Sequence, residues 1–364
     1  MKSSGTIFLV VSDMGLGGAE RVLLALAEQF KLNYAVHFVC LRRQGALLHS
    51  AAPDISMTYL NSGGASRWRI AAVSFWSLFR LMRSEPDAIL LSTGTGTNLL
   101  ACAARLFSPR GARLVIREAC SSKNSTSYVI SLLKRLLYPR ADGMIGVSDG
   151  VAEELKALAR KRQPVASIPN PVDVARLSEL AAMPDEALTH FPHAYILTVG
   201  RLVPQKNTAL LIDAFARIEK SVEEHLVIIG AGPLESQLRS QIAGYGLDAK
   251  IHLLGEVSNP HPWFKRASIF VLCSDSEGYP NVLLEALAQG VPVIATDCEF
   301  GPRQILEHGR YGKLVAPRDV MGLSEAMLQT LQSRVQSSDW DPEPFSNSVI
   351  ASRYLAFLEQ CRND

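Results

Sequence analysis

Short uninterrupted apolar runs alternate along this chain with stretches in which apolar residues return every third or fourth position. The first pattern suits a strand buried on both faces of a parallel sheet, the second a helix laid over it. In the first half the runs are TIFLVVS (6–12), YAVHFVCL (34–41), AILLST (88–93), RLVIRE (113–118), GMIGVS (143–148) and PVASIP (164–169). A second series comprises AYILTVGR (194–201), HLVIIGAG (225–232), KIHLLGE (250–256), SIFVLCS (268–274), VPVIAT (291–296) and KLVAP (313–317). Between the two, SIPNPVDVARL (167–177) sets two prolines around an asparagine and places Asp173 to open a helix, a stiff turn suited to a domain junction. The pattern predicts an α/β protein with two doubly wound domains, 1–170 and 171–345. The tail SNSVIASRYLAFLEQC (346–361) reads as a last amphipathic helix, and the segment 346–364 is expected to pack back on the first domain. No short-period repeat or low-complexity segment is visible.

Composition agrees with this reading. A chain of 364 residues, 48% hydrophobic and 20% charged, can bury two sizeable cores, which excludes a largely disordered or fibrous protein. No apolar run approaches the roughly 20 residues that cross a bilayer, and TIFLVV is too short for a signal-peptide core, so a cytoplasmic location is expected. The cysteines at 40, 102, 120, 273, 298 and 361 form no CxxC pair, which points to reduced, mostly buried thiols rather than a zinc site or a disulfide framework. Charge is uneven. Residues 1–170 carry 21 Lys and Arg against 11 Asp and Glu, a net of +10, and the remainder carries 16 against 24, a net of −8. A basic half can face an anionic membrane or an anionic substrate, and no nucleic-acid motif accompanies it.

Ligands of open α/β sheets bind beyond the carboxyl ends of the strands, so the loops there are where chemistry is sought. SDMGLGGAER (12–21) has Gly15, Gly17 and Gly18 before a helix, exposing backbone amides beside its positive end. A dinucleotide GxGxxG would need glycine at position 20, which is Glu20; the alternative is a tight turn. VGRLVPQKN (199–207) supplies Arg201 and Lys206, two cations able to grip a diphosphate and neutralise charge growing on it, or else two solvated surface groups. IIGAGPLESQL (228–238) fits a compact Gly-x-Gly-Pro turn with a helix starting around Pro233.

The fourth loop, SDSEGYPNVLLEALAQG (274–290), carries the most. Pro280 suits a first helical turn, so the amides of residues 281–283 are expected to be free to meet an anion. Glu277 lies before that helix and Glu285 one turn inside it, two carboxylates able to accept pairs of hydroxyls such as sugars offer. Helix-dipole preference explains acidity near a helix start but not this spacing.

Together GGAER, IPNPVD, GRLVPQKN and EGYPNVLLEALAQGVPVIAT, in this order along the chain, resemble the retaining nucleotide-sugar glycosyltransferases of family 4, with the two-domain GT-B fold facing a central cleft. The run TDCEFGPRQIL (296–306) resembles bacterial surface-glycan enzymes. The resemblance implies an acceptor-binding first domain and a donor-binding second. In it Arg201 and Lys206 bind the donor diphosphate, Glu285 accepts from the ribose, and Glu277 holds the donor sugar's hydroxyls. Backbone amides of Gly278, Tyr279, Pro280's neighbour Asn281, Val282 and Leu283 assist, Gly17 and Gly18 approach from the other domain, and Leu254 and Gly255 lie near the base. It further implies retention without a protein nucleophile, the departing diphosphate oxygen taking the acceptor's proton; a cleft that closes to exclude water; and no metal or other cofactor. A UDP-sugar is the donor by family frequency. The Asp-x-Asp of Asp339 and Asp341 follows no strand and reads as a surface loop.

One position departs from the family's pattern. Relatives commonly carry a histidine after the fifth strand, where LVIREAC offers Arg117 and Glu118, and His37 and His49 come too early to replace it. Either Glu118 or Arg117 is expected at the reacting groups, with Glu118 taken as the catalytic candidate, or else the site differs there in detail. For the acceptor, SRWRIAAVSFWSLFRLMRS (66–84) puts Arg69, Trp76, Arg80 and Arg83 on one helical face and Phe75, Leu78, Phe79 and Met82 on another. The first face suits an anionic membrane surface near a lipid-linked glycan acceptor, at the inner side of the cytoplasmic membrane, or else solvent. A sugar-nucleotide epimerase of the same fold, or a binding protein without turnover, remain the alternatives.

Overall fold

In a computed structural model, which describes residues 5–15, 17–44, 55–61, 66–120, 127–333 and 339–363, the chain divides into two compact units. One unit is Met1–Pro171 together with Pro344–Asp364, the other Val172–Glu343.

The first unit holds strands β1 (Thr6–Val11), β2 (Ala35–Cys40), β3 (Ser56–Tyr59), β4 (Ile89–Thr93), β5 (Arg113–Glu118), β6 (Gly143–Gly146) and β7 (Val165–Ser167). They form one parallel sheet in the order β3-β2-β1-β4-β5-β6-β7, with Leu9 of β1 paired to Phe38 on one side and Leu91 on the other. The apolar runs of β1, β2, β4 and β5 become strands because helices cover both faces and leave no polar face to alternate. β3, absent from the sequence-based expectations, is four residues of alternating exposure at the sheet edge, too short and too polar to stand out.

Right-handed crossovers sort the helices by direction of travel across the sheet. Helices Arg67–Ser84, Thr95–Leu106 and Tyr128–Leu137 serve the β3-to-β6 direction and pack side by side in that order. Helix Gly18–Phe30 packs against the C-terminal helix Asn347–Asn363, whose Ile350, Tyr354 and Leu358 are buried in the same core as Leu9, Leu26 and Phe38. A Cβ on Gly143 of β6 would collide with Cys361 and Phe357, so that glycine admits the C-terminal helix to the sheet. Arg117, wholly buried, donates from Nε to Tyr354 Oη at 2.9 Å, from Nη1 to Thr93 Oγ1 at 3.1 Å and from Nη2 to Asn170 Oδ1 at 2.6 Å.

The second unit holds β8 (Tyr195–Val199), β9 (His225–Ile229), β10 (Ile251–Gly255), β11 (Ile269–Leu272), β12 (Val293–Thr296) and β13 (Lys313–Val315), all parallel, in the order β10-β9-β8-β11-β12-β13. Its core gathers Leu211, Phe215, Ile228, Val271 and Ile294. Asp173 caps helix Val174–Ala181, its carboxylate accepting from Arg176 N at 2.9 Å, as the proline-flanked turn implied. In each sheet the winding direction reverses once, between β1 and β4 and between β8 and β11. Loops leaving these neighbours diverge and open a crevice at the carboxyl ends.

Candidate active site

At the β8/β11 reversal the loop after β8 is tied to the loop after β11. Gln205 Nε2 donates to Ser276 O at 2.8 Å, Asp275 N to Gln205 O at 2.9 Å, and Asn207 Nδ2 to Asp275 Oδ1 at 2.9 Å. Asn207 adopts a left-handed conformation (φ 45°), a state asparagine tolerates, which turns the short helix Pro204–Lys206 into helix Thr208–Ile218. The result sets Lys206 Nζ 2.5 Å from Glu277 Oε1, the side chains 19% and 9% exposed. Ser274 Oγ, fully buried, donates to the same Oε1 at 2.6 Å. Glu277 thus has one oxygen held by two donors, and its Oε2 has no partner among the described residues.

Neighbouring thiols do not compete for that chemistry: burial, with the Glu277 charge second, pushes Cys298 up to about 12, and burial does the same to Cys273. Both stay neutral. The loop after β12 braces the glutamate turn from behind. A Cβ on Gly301 (φ 70°) would fall 2.7 Å from Pro280 Cδ and 2.9 Å from Gly278 O, a fit only glycine permits.

Helix Asn281–Ala288 starts here, with Pro280 as its N-cap rather than inside its first turn. The expectation of free amides through 283 needs correcting: Leu283 N donates to Pro280 O at 3.1 Å, a tightening of the first turn. Tyr279, Pro280 and Leu283 are buried and serve packing, whereas Asn281, Val282 and Glu285 are half-buried. Glu285 lies one helical turn beyond the cap, on the face away from buried Leu283, Leu284 and Leu287. Arg201 is exposed and its guanidinium has no ion-pair or hydrogen-bond partner among the described residues. Leu254 and Gly255 end β10, half-buried, with Gly255 at φ 72° and its carbonyl accepting from Gly230 N at 2.7 Å. The glycine turn after β9 is structural: Cβ atoms on Gly230 and Gly232 would strike the carbonyls of Gly200 and Leu202. Its helix begins at Glu235, slightly later than Pro233 suggested.

In the first unit, Gly17 and Gly18 are exposed at the start of helix Gly18–Phe30, beside the β1/β4 reversal. The Glu20 carboxylate folds back over Gly17, its Oε2 standing where a Cβ would be. Burial, with the nearby Asp13 charge, raises the Glu20 pKa above the usual carboxylate value. Glu118, only 2% exposed, accepts from Lys134 Nζ at 2.8 Å, from Thr95 Oγ1 at 3.0 Å and from Asn98 Nδ2 at 3.3 Å. Three donors occupy that carboxylate, which speaks against the expected contact with reacting groups. His37 lies on β2 against Ser56, and His49 lies outside the described residues.

Arg69, Trp76, Arg80 and Arg83 are all exposed on helix Arg67–Ser84, while Leu78 and Met82 are fully buried beneath. Arg83 stacks over the Phe79 ring at 5.6 Å, and Trp76 meets Phe75 and Phe79 edge-on. Asp341 Oδ1 accepts from Glu343 N at 3.0 Å and so closes a short turn. Among the described residues, no group of three His, Cys, Asp or Glu side chains is arranged to hold a metal ion. No helix among them is long and apolar enough to cross a membrane. Five of the six cysteines are buried, and Cys120 is exposed.

Sequence reasoning missed Ser274, Gly301 and the donors around Glu118. Ser274 stands three residues before Glu277, a spacing that would have brought its hydroxyl to mind. The others come from distant segments and left no local signal.

Two parallel sheets, one with a charged crevice at its winding reversal, fit the GT-B class of glycosyltransferase. Residues 193–333 match the family model of glycosyl transferases group 1 and residues 16–176 that of glycosyltransferase family 4, and the chain belongs to this family. It is 30% identical over 324 residues to the Campylobacter jejuni N-acetylgalactosamine-N,N'-diacetylbacillosaminyl-diphospho-undecaprenol 4-alpha-N-acetylgalactosaminyltransferase, covering 84% of this chain and 85% of that one. A second Campylobacter jejuni enzyme, an alpha-1,4-N-acetyl-D-galactosaminyltransferase acting on a diNAcBac-PP-undecaprenol-linked GalNAc disaccharide, is 25% identical over 98% of this chain and 99% of its own. The crystal structure of Anabaena HepE in complex with UDP and glucose superposes with a TM-score of 0.80 at 17% identity, over 98% of this chain and 99% of that one. The protein is thus a glycosyltransferase of bacterial surface-glycan type.

Proposed function

We propose that the enzyme is a retaining, metal-independent transferase that moves a hexose or N-acetylhexosamine from a UDP-sugar to a glycan or lipid-linked acceptor in surface polysaccharide assembly. The observation that carries this reading is the Glu277 carboxylate, saturated by Lys206 and Ser274 on one oxygen and open on the other. A carboxylate so held cannot swing away and presents a fixed acceptor for sugar hydroxyls. Support for the donor and acceptor classes comes from the Campylobacter relatives, named for undecaprenol diphosphate-linked sugars, and from the neighbour bound to UDP and glucose.

In this reading Lys206 and the exposed Arg201 contact the donor diphosphate. Before the donor arrives Lys206 is neutralised by Glu277; the incoming phosphates draw part of its charge to the leaving oxygen, where negative charge grows as the anomeric bond breaks. That oxygen takes the acceptor's proton as the hydroxyl attacks from the same face. Glu285 takes ribose hydroxyls, Leu254 and Gly255 border the base, and the Asn281 and Val282 amides assist at the sugar. Gly17 and Gly18 offer exposed backbone amides at the start of helix Gly18–Phe30. Glu118, at the end of β5, holds helix Tyr128–Leu137 in place through Lys134, and Arg69, Trp76, Arg80 and Arg83 face the acceptor's membrane.

The test is acceptor-dependent product formation, with UDP-sugars offered singly to a lipid diphosphate-linked oligosaccharide and the product's anomeric configuration read by NMR. Free sugar or an epimerised nucleotide sugar without acceptor-dependent product would sink the proposal in favour of an epimerase or hydrolase.

A further inference from the structure

Helix Tyr128–Leu137 is folded inside out. Positions at 100° spacing place Arg135, Tyr128, Leu132, Leu136, Val129 and Leu133 in one outward arc. All six are exposed, Tyr128 by 81% and Leu136 by 58%. The inward arc carries the helix's other cation, Lys134, which is 4% exposed, paired with Glu118 and 5.5 Å from the Tyr138 ring centre. A helix facing water on this side would place its leucines inward and its lysine out. Instead a buried carboxylate at the end of β5 holds the lysine in, and the leucines are turned out where something apolar can cover them.

Charge decides what covers them. The three helices lying side by side on this face, RWRIAAVSFWSLFRLMRS, TGTNLLACAARL and YVISLLKRLL, contain no carboxylate. Arg105 and Lys134 are paired inward, with Asp142 and Glu118, leaving Arg69, Arg80, Arg83 and Arg135 exposed. Exposed Trp68, Trp76 and Phe107 accompany them, and Phe107 meets Phe75 edge-on at 5.9 Å, so the aromatic surface runs from one helix to the next. Leucines, ring edges and arginines without an ion pair, on helices that carry no acidic residue, match the interface of an anionic bilayer. A second copy fits poorly: two-fold pairing would set four exposed arginines against their copies with only Glu85 and Asp87, past the end of the first helix, to answer them.

We infer that the outward face of helix Tyr128–Leu137, continued by Phe107 and Trp76, docks on an anionic membrane surface, with Glu118–Lys134 as the clamp that keeps the leucines outward. The inference rests on the lipid-linked acceptor for its purpose, while its test involves no sugar transfer.

The full-length protein should co-sediment with vesicles of phosphatidylglycerol and phosphatidylethanolamine and much less with phosphatidylcholine vesicles. Leu132→Glu with Leu136→Glu should lower that binding at least about tenfold, since the leucine side chains no longer enter the interface and the new charges are repelled. Arg80→Gln and Arg83→Gln should each lower it about fivefold. Melting temperature should be unchanged in all of these surface variants. If the double glutamate variant misfolds, Leu132→Ser with Leu136→Ser gives the same readout with milder side chains. Equal binding by wild type and either leucine variant overturns the proposal, as does equal binding to neutral vesicles. A lipid-free dimer that these substitutions dissociate would assign the face to a second copy and overturn it too.

Discussion

Lys206 and Glu277, 71 residues apart in sequence, form a hydrogen-bonded ion pair at the centre of the proposed donor site. Glu277→Gln keeps the shape and the Ser274 bond but loses the charge that fixes Lys206. In steady-state kinetics kcat should fall on the order of 10²-fold or more, with KM for the donor changing less. Lys206→Met leaves a largely buried carboxylate without its cation. Beyond losing activity, it should lower unfolding stability by roughly 1–3 kcal/mol, less than for a fully buried pair because the lysine is part-exposed. Urea titration reads that change. A backbone residue offers a contrast: Gly230 sits at φ 142° with the Gly200 carbonyl where a Cβ would be, so Gly230→Ala should cost on the order of 3 kcal/mol from strain and overlap combined. Glu277 and Lys206 were legible because their chemistry is written in their side chains. Ser274 and Gly301 were not, since a serine and a glycine gain meaning only from what the fold sets beside them.

At the scale of elements, the amino ends of β9 and β10 and the segment before β8 bring His193, His225 and His252 into a stack. His193 and His225 lie 3.7 Å apart between ring centres, and His225 Nδ1 is 2.8 Å from His252 Nε2. Phe191 meets all three rings edge-on. Burial first, then the neighbouring His193, His252 and Lys250, pulls His225 down from 6.5 to about 4, and burial lowers His252 as well. Between those two values the unfolded chain binds a proton at His225 that the folded chain refuses. Stability is therefore full above about 6.5 and declines as pH falls towards about 4. His225→Asn should flatten the fall of melting temperature over that window; an unchanged slope would remove the stack from the explanation. The histidines were visible in the sequence, but their spacing of 32 and 27 residues carries no periodic signal. Helix Tyr128–Leu137 shows the reverse: the position of Glu118, at the end of β5, decides which side faces in.

For the whole molecule, the chain's end is part of its first core. Ile350, Tyr354 and Leu358 are almost wholly buried on helix Asn347–Asn363, and Tyr354 Oη is one of the three acceptors of the buried Arg117. Deleting residues 346–364 should therefore leave the first unit insoluble on expression. Tyr354→Phe, which removes only the acceptor, should cost roughly 1–3 kcal/mol in denaturant titration. Local pattern was enough to determine the α/β class, the succession of strands and helices and the loops that carry chemistry, because apolar runs and turn residues act over a few neighbours. Local motifs likewise single out Arg201, Lys206, Glu277 and Glu285 as candidates, of which the structure pairs Lys206 with Glu277. Tertiary structure alone decided that β8 and β11 are adjacent, which brings Lys206 to Glu277. It also decided that Glu118 binds a lysine instead of facing the crevice, that Leu283 has no amide to spare, and that an edge strand forms at Ser56–Tyr59. Each of these depends on contacts between segments far apart in the chain, and burial, not local preference, sets their energy.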